Sequence, residues 1–208
     1  MTARLRMTRA ERSEQTRAQL VEAARKVFLR RGFHGASLDE ISAEAGYTTG
    51  AVYSRFGGKD ELFLAVMDEH LERRTRLYAE AALAADDFES AHRAVMRAAV
   101  AAGREEPGWT PLLMEFWTHA ARRDELRAAV AERNQRNLDA SAGLQVTVAE
   151  RHGMTLLRSP QEMQRAVTAM ARGLSLERQI APDAELEALF EDCVLALLRA
   201  FTERRSTP

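Results

Sequence analysis

Residues 32–63 read GFHGASLDEISAEAGYTTGAVYSRFGGKDELF, and the punctuation of this stretch decides the fold. Ser37 followed three residues later by Glu40 is an S-x-x-E capping box, a signal that opens a helix. Leu38, Ile41 and Ala45 then share one face of that helix, which ends near Ala45, and Gly46 supplies a turn. Thr48 caps the next helix, with Val52 and Phe56 on its inward face. Gly57-Gly58 breaks the chain again before a long helix starting near Lys59, with Leu62, Phe63 and Val66 facing in. Two short helices about a glycine-centred turn describe a helix-turn-helix. In that arrangement the first helix braces the second, whose outer side enters a DNA major groove about 12 Å wide. Capping and periodicity alone also allow a plain all-α bundle of well-capped helices.

Working outward, residues 1–12 read as a mobile arm and a first helix as running from about Ser13 to Arg31. Its stripe Leu20, Ala24, Val27, Phe28 follows the spacing of one buried face. Gly32 is a natural C-cap, after which Phe33 folds back. Downstream, helices are expected at about 86–103, 109–121 and 124–151, the last ended by Gly153. Ser159-Pro160 opens another, to about Ile180, as an N-cap/N1 pair. Pro182-Asp183 opens the last, to about Arg204, and the tail Ser206–Pro208 is expected to fray. The chain is therefore expected to be all-α, with about nine helices. A head at 1–58 would hold the helix-turn-helix (about 37–56), and a helical body would occupy 59–208.

Composition fits this reading. Hydrophobic residues make up 46% of the 208, enough for a packed core, and the 29% of charged residues fits a soluble protein rather than a disordered one. No run approaches the roughly 20 apolar residues of a membrane span, and no apolar segment follows the basic N-terminus as a secretory signal requires. Cys193 stands alone, which fits a reducing cytoplasm and reads as a small buried residue. Residues 1–59 carry 11 Lys and Arg against 6 Asp and Glu, whereas residues 60–208 carry 19 against 25. A basic head on an acidic body suggests that only the head meets a polyanion.

The outward side of the second short helix holds Thr49, Gly50, Ala51, Tyr53 and Ser54. Small side chains there allow close backbone approach to base edges, and Tyr53 is long enough to reach a phosphate. Free N–H groups behind the caps Ser37 and Thr48 can take phosphate oxygens. Gly32, Phe33, Ser37, Ile41, Ala45-Gly46, Gly50, Tyr53, Phe56, Lys59 and Leu62 together resemble the N-terminal signature of the TetR (tetracycline-repressor) family. The motif covers about a quarter of the chain; the body resembles the family only in size and helix pattern. The resemblance implies phosphate contacts from Ser37, Thr48, Tyr53 and Lys59, and base-edge contacts from Thr49, Ala51 and Ser54. Thr49 and Ser54 stand where many relatives have other polar residues, so the operator sequence does not follow. Arg4, Arg6 and Arg9 either reach a neighbouring minor groove or make no contact.

The last helix carries a wide apolar face, including Leu186, Leu189, Phe190, Cys193, Val194 and Leu197, and the one before it adds Val167, Met170 and Leu174. The resemblance implies that these two helices form a four-helix dimer interface, to which Val167, Met170, Leu174, Leu186, Phe190, Val194 and Leu197 are assigned. Part of each stripe must also serve the internal core. The helix 109–121 is apolar almost all round. Trp109, Phe116 and Trp117, with Phe88, Met96 and Met163 and with His119 as a polar anchor, either line a cavity for a small apolar or aromatic effector or simply fill the core. Glu115 and His119 share a face, yet two ligands are too few for zinc. There is no phosphate-binding loop, nucleophile elbow, zinc-protease or dinucleotide motif, so no enzyme, metal or cofactor is expected.

The expectation is thus a cytoplasmic, nucleoid-associated homodimer that binds a partly palindromic double-stranded operator and is released, as a repressor, by a small molecule. An architectural DNA-binding protein of the same fold, and a small all-α enzyme or scaffold, are the alternatives.

Overall fold

A computed structural model describes residues 8–181 and 184–204. Nine helices occur among them: α1 (Arg9–Gly35), α2 (Leu38–Ala45), α3 (Thr49–Phe56), α4 (Lys59–Leu83), α5 (Phe88–Glu105), α6 (Trp109–Ala120), α7 (Asp124–Arg151), α8 (Pro160–Ile180) and α9 (Ala184–Phe201). Two three-residue strands, β1 (Met154–Leu156) and β2 (Thr202–Arg204), pair antiparallel with Thr155 opposite Glu203. They tie the chain after α7 to the end of α9. The expected last helix therefore stops three residues early. The Pro182-Asp183 start, Arg4, Arg6 and the tail lie outside the described residues.

Helix α1 begins four residues before the expected Ser13. The signal is a true capping box at Thr8: its backbone N–H donates to Glu11 Oε2 at 2.7 Å while Glu11 N–H donates to Thr8 Oγ1 at 3.1 Å. Arg9 is thus the exposed first residue of a helix. The box expected at Ser37 is only half made. Ser37 Oγ accepts from Glu40 N–H at 3.1 Å, but the Glu40 carboxylate turns to Arg30 and Arg31 at 3.0 and 3.2 Å. Two nearby cations compete better for a carboxylate than one backbone donor. Thr48 and Ser159 occupy N-cap positions without side-chain cap hydrogen bonds.

The largest core cluster ignores the expected boundary at residue 58. Leu20, Val27 and Phe28 of α1, Ile41, Val52 and Phe56 of the two short helices, and Leu62 and Phe63 of α4 are buried together with Trp109, Leu112 and Phe116 of α6. Phe63 is central, its ring 5.1 Å from Phe28, 5.4 Å from Phe33 and 4.2 Å from Phe116 between centroids. Aromatic packing of this kind adds about 0.5–1.5 kcal/mol per pair beyond buried area. A second cluster joins α5, α8 and α9 through Met96, Met163, Phe190, Val194, Leu195 and Leu198.

The inward faces of α8 and α9 are the stripes assigned above to the dimer. Val167, Met170 and Leu174 pack on the second cluster, which contains Phe190 and Val194, while Leu186 and Leu197 are half-buried. The outward faces carry other residues: Ala169, Gly173, Leu176 and Ile180 on α8, and Leu189, Cys193, Ala196 and Ala200 on α9, all exposed. Cys193 is therefore exposed rather than buried. Phe190 and Val194, assigned to the dimer, are thus buried within the subunit, and because α9 is apolar on two sides a second, exposed stripe faces outward.

Candidate nucleic-acid interface and body cavity

The helix-turn-helix is held from behind by its own polar groups. Gly46 takes a left-handed conformation (φ 74°), as the turn demands. Tyr47, next to it, donates from its hydroxyl to Gln19 Oε1 at 2.6 Å and anchors the turn to α1. Thr49 Oγ1 donates to Asp39 Oδ1 at 2.6 Å and lies 3.1 Å from Ser42 Oγ. Asp39, Ser42 and Thr49 thus lock α3 against α2, and Thr49, placed among the base readers above, is half-buried with its hydroxyl already engaged.

Outside, α3 presents Gly50, Tyr53 and Ser54, all exposed, and the half-buried Ala51. Ser54 Oγ donates to Ala51 O at 3.0 Å. Tyr53 is 57% exposed although α3 has a well-buried inner side in Val52 and Phe56. A Cβ at Gly50 would meet only Thr48 Oγ1, at 3.8 Å. Glycine there costs about 1 kcal/mol of helix propensity against alanine, and no internal contact requires it. Ser37 and Thr48 are exposed at the starts of α2 and α3. Lys59 is half-buried: its Nζ donates to His34 O at 3.2 Å and sits 4.8 Å over the Phe33 ring, and burial pushes its pKa down.

Four residues assigned above to the ligand site belong instead to the junction between head and body. Trp109 and Phe116 are in the first core, Trp117 packs against it under the Arg172 guanidinium (4.4 Å from the ring centre), and His119 Nε2 lies 3.0 Å from Asp60 Oδ1. Glu115, which shares the helix face with His119, accepts from Phe33 N–H at 2.9 Å. Helix α6 is apolar almost all round because it is wedged between head and body. A second junction forms behind it: Glu106, just past α5, takes Arg25 of α1 at 2.6 Å and Arg73 of α4 at 3.1 Å. Beside it His70 stacks on Trp109 at 3.7 Å, and its pKa is pushed to about 2 by burial first and then by Arg74 and Arg73.

The body cavity lies elsewhere, lined by α4, α5, α7, α8 and α9, with a volume of about 120 Å³. Met96 is the one residue of the expected set that lines it; Val167, Phe190 and Val194, assigned to the dimer, line it too. Phe88 and Met163 pack in the adjoining clusters. Thr75, Tyr78, His92, Ser141, Gln145 and Gln164 supply its polar groups. Sequence reading misses these because single polar residues on amphipathic helices carry no periodic signal. Among the described residues, no group of three or more His, Cys, Asp or Glu could hold a metal, and no helix is long and apolar enough to cross a membrane.

A braced two-helix head with an exposed second helix, carried on a helical bundle with a cavity in its body, is a helix-turn-helix arrangement of the kind that DNA-binding proteins use. Residues 20–66 match the family model described as bacterial regulatory proteins, tetR family. The transcriptional activator FasR of Mycolicibacterium smegmatis is 42% identical over 59 residues, 28% of this chain and 27% of that protein. The transcriptional regulator SrpR of Pseudomonas putida is 47% identical over 62 residues, 30% of this chain and 29% of that protein. The match thus spans under a third of either relative. In three dimensions the likeness is wider: the structure of a TetR transcription regulator from Haloarcula marismortui superposes with a TM-score of 0.72 at 18% identity, over 91% of this chain and 100% of that one. The likeness to the tetR family is thus one of sequence over residues 20–66 and one of fold over most of the chain.

Proposed function

We propose that the chain is a transcriptional regulator that binds a partly palindromic operator as a homodimer and acts as a repressor released by a small molecule in the body cavity. The observation that carries the reading is the outer side of α3, where an exposed Tyr53 stands beside a glycine that nothing inside the protein requires. Gly50 and Ala51 let the backbone approach base edges, with Ser54 beside them. Tyr53, Ser37, Thr48 and Lys59 take phosphates, aided by the unsatisfied N–H groups at the start of α3. Thr49 acts chiefly by fixing α3 on Asp39.

Two heads about one helical turn apart, roughly 34–36 Å, give a dimer its affinity. The exposed apolar stripes of α8 and α9 suit that pairing, with Ile180 88% and Leu189 58% exposed in the single chain. Helix α4 is the lever, since Leu62 and Phe63 lie in the head's core while Thr75, Tyr78 and Ala82 line the cavity. A ligand that binds the DNA-incompetent spacing more tightly shifts the population away from the operator. An architectural protein would need no cavity, so the cavity favours the ligand-responsive reading.

The test is Tyr53→Ala. Operator affinity at fixed salt should fall at least about tenfold, the worth of a lost charge-assisted contact, with helicity and oligomeric state unchanged. Unaltered affinity would remove α3 from the interface.

A further inference from the structure

The body cavity has a chemical polarity that specifies what it can hold. No Asp, Glu, Lys or Arg is among its lining residues; the nearest cation, Arg74, reaches it only through the Tyr78 hydroxyl, so an uncharged ligand is the one that enters at least cost. Tyr78 stays a neutral phenol, its pKa pushed up by burial. The decisive pair is His92 and Gln145. His92 Nδ1 lies 2.8 Å from Phe88 O. A carbonyl oxygen only accepts, so Nδ1 carries the hydrogen. Burial lowers the His92 pKa, and in the neutral ring Nε2 is then a bare lone pair. The Gln145 amide lies 3.3 Å from that lone pair. Only its NH₂ end can face it, and this fixes the orientation of the whole amide. The consequence is Gln145 Oε1: buried, on a side chain that lines the cavity, in a residue 7% exposed, and without a hydrogen-bond partner. A buried acceptor left unpaired costs about as much as a lost hydrogen bond, so a donor is called for.

Resting on the ligand-responsive reading above, we propose that this cavity binds a small, uncharged, ring-sized molecule that donates one hydrogen bond to Gln145 Oε1, chemically a phenol. The volume, about 120 Å³, is somewhat below the roughly 150 Å³ of a cavity that accepts benzene, so a single ring is the upper limit and it enters with a small outward adjustment of the lining. Met96, Val95, Leu144, Phe190 and Val194 provide the apolar bed. Gln145 is the specificity-determining residue: it rejects anions, which would set negative charge against its oxygen, and disfavours ligands that can only accept.

Calorimetric titration of the full chain, without DNA, with phenol, toluene, anisole and benzoate tests this. Phenol is expected to bind at least about tenfold more tightly than toluene or anisole, with no binding of benzoate. Gln145→Met should bring phenol and toluene to similar affinity, and Ala99→Leu, which fills the cavity, should weaken both. Equal affinity for phenol and anisole in the unaltered protein, measurable benzoate binding, phenol binding indifferent to Ala99→Leu, or no phenol binding at millimolar concentration each overturns the proposal. The unaltered chain decides the matter even if Gln145→Met does not fold. Operator affinity is measured separately. Phenol binding with unchanged operator affinity would keep the site's chemistry and remove its effector role, while loss of phenol binding in a chain that holds its operator would do the reverse.

Discussion

Glu115 of α6 accepts a hydrogen bond from the backbone N–H of Phe33 at 2.9 Å, spanning 82 residues of sequence to cap the break at the end of α1. The break is Gly32, with φ 73° and ψ 172°, a region open in practice only to glycine. A Cβ there would stand 2.8 Å from both Glu115 carboxylate oxygens. Backbone and carboxylate are therefore coupled: a side chain at 32 strains φ and also expels the cap of Phe33.

Gly32→Ala is expected to destabilise the chain by about 2–4 kcal/mol, from backbone strain and the displaced acceptor together. Gly153 is the control, having φ 65° but nothing within 4 Å of where its Cβ would stand, so Gly153→Ala carries the backbone cost alone, about 1–2 kcal/mol. Denaturant midpoints of the two variants decide it. Equal losses would show that Glu115 moves aside freely.

Thr49 and Asp39 support a second prediction, because the 2.6 Å bond between them fixes α3 on α2. Asp39→Ala, which removes the acceptor without touching α3, should cost about 1 kcal/mol of stability and weaken operator binding severalfold. Thr49→Val should have a similar effect on both. If Thr49 instead reads a base directly, Asp39→Ala will leave operator affinity as it was.

The head is legible in the sequence because glycines at 32, 46 and 57 punctuate it, each with positive φ, and because its apolar spacings are short and regular. The junction is not. Glu115, Asp60, Glu106 and His70 gain their roles from partners dozens of residues away, and nothing local marks a carboxylate that will cap a distant break. The apolar surroundings of Trp109 and Phe116 in the sequence indicate burial, but burial does not say against what. In α9, apolar residues on two sides leave the choice of outer face open, and the wider stripe turns out to face inward. The strands β1 and β2, at three residues each, are too short for alternation to register.

His70 and His92 make stability depend on pH. Both are buried with lowered pKa values, His70 to about 2, chiefly by burial, whereas in the unfolded chain a histidine titrates near 6.5. Below about pH 6.5 the unfolded state therefore binds protons that the folded state refuses, and stability falls with falling pH, by up to about 1.4 kcal/mol per unit for each histidine. Glu22, whose pKa is lowered mainly by its hydrogen bond from Arg25, adds a loss of the same sign only near and below its ordinary value of 4.5. Urea midpoints should drop between pH 7.5 and 5.5, and His70→Gln should flatten that drop. A midpoint constant across this range would mean that both rings protonate in place.

The last prediction concerns the exposed side of α8 and α9. Leu176, Ile180 and Leu189 are 38%, 88% and 58% exposed in the single chain, and the residues between them on the same faces, Gly173, Ala196 and Ala200, are small enough to let helices approach closely. Leu174, by contrast, packs inward on the second core cluster. Paired glutamates, Ile180→Glu with Leu189→Glu, should halve the mass measured by light scattering while preserving helicity, since neither side chain is needed by its own subunit's core. Operator affinity should then fall by about a hundredfold or more, because the second head is no longer held at high effective concentration. Leu174→Glu should behave oppositely, lowering the melting temperature first, because it buries a carboxylate without a partner. If the double variant remains dimeric and Leu174→Glu yields folded monomers, the subunits pair through the inner stripe instead.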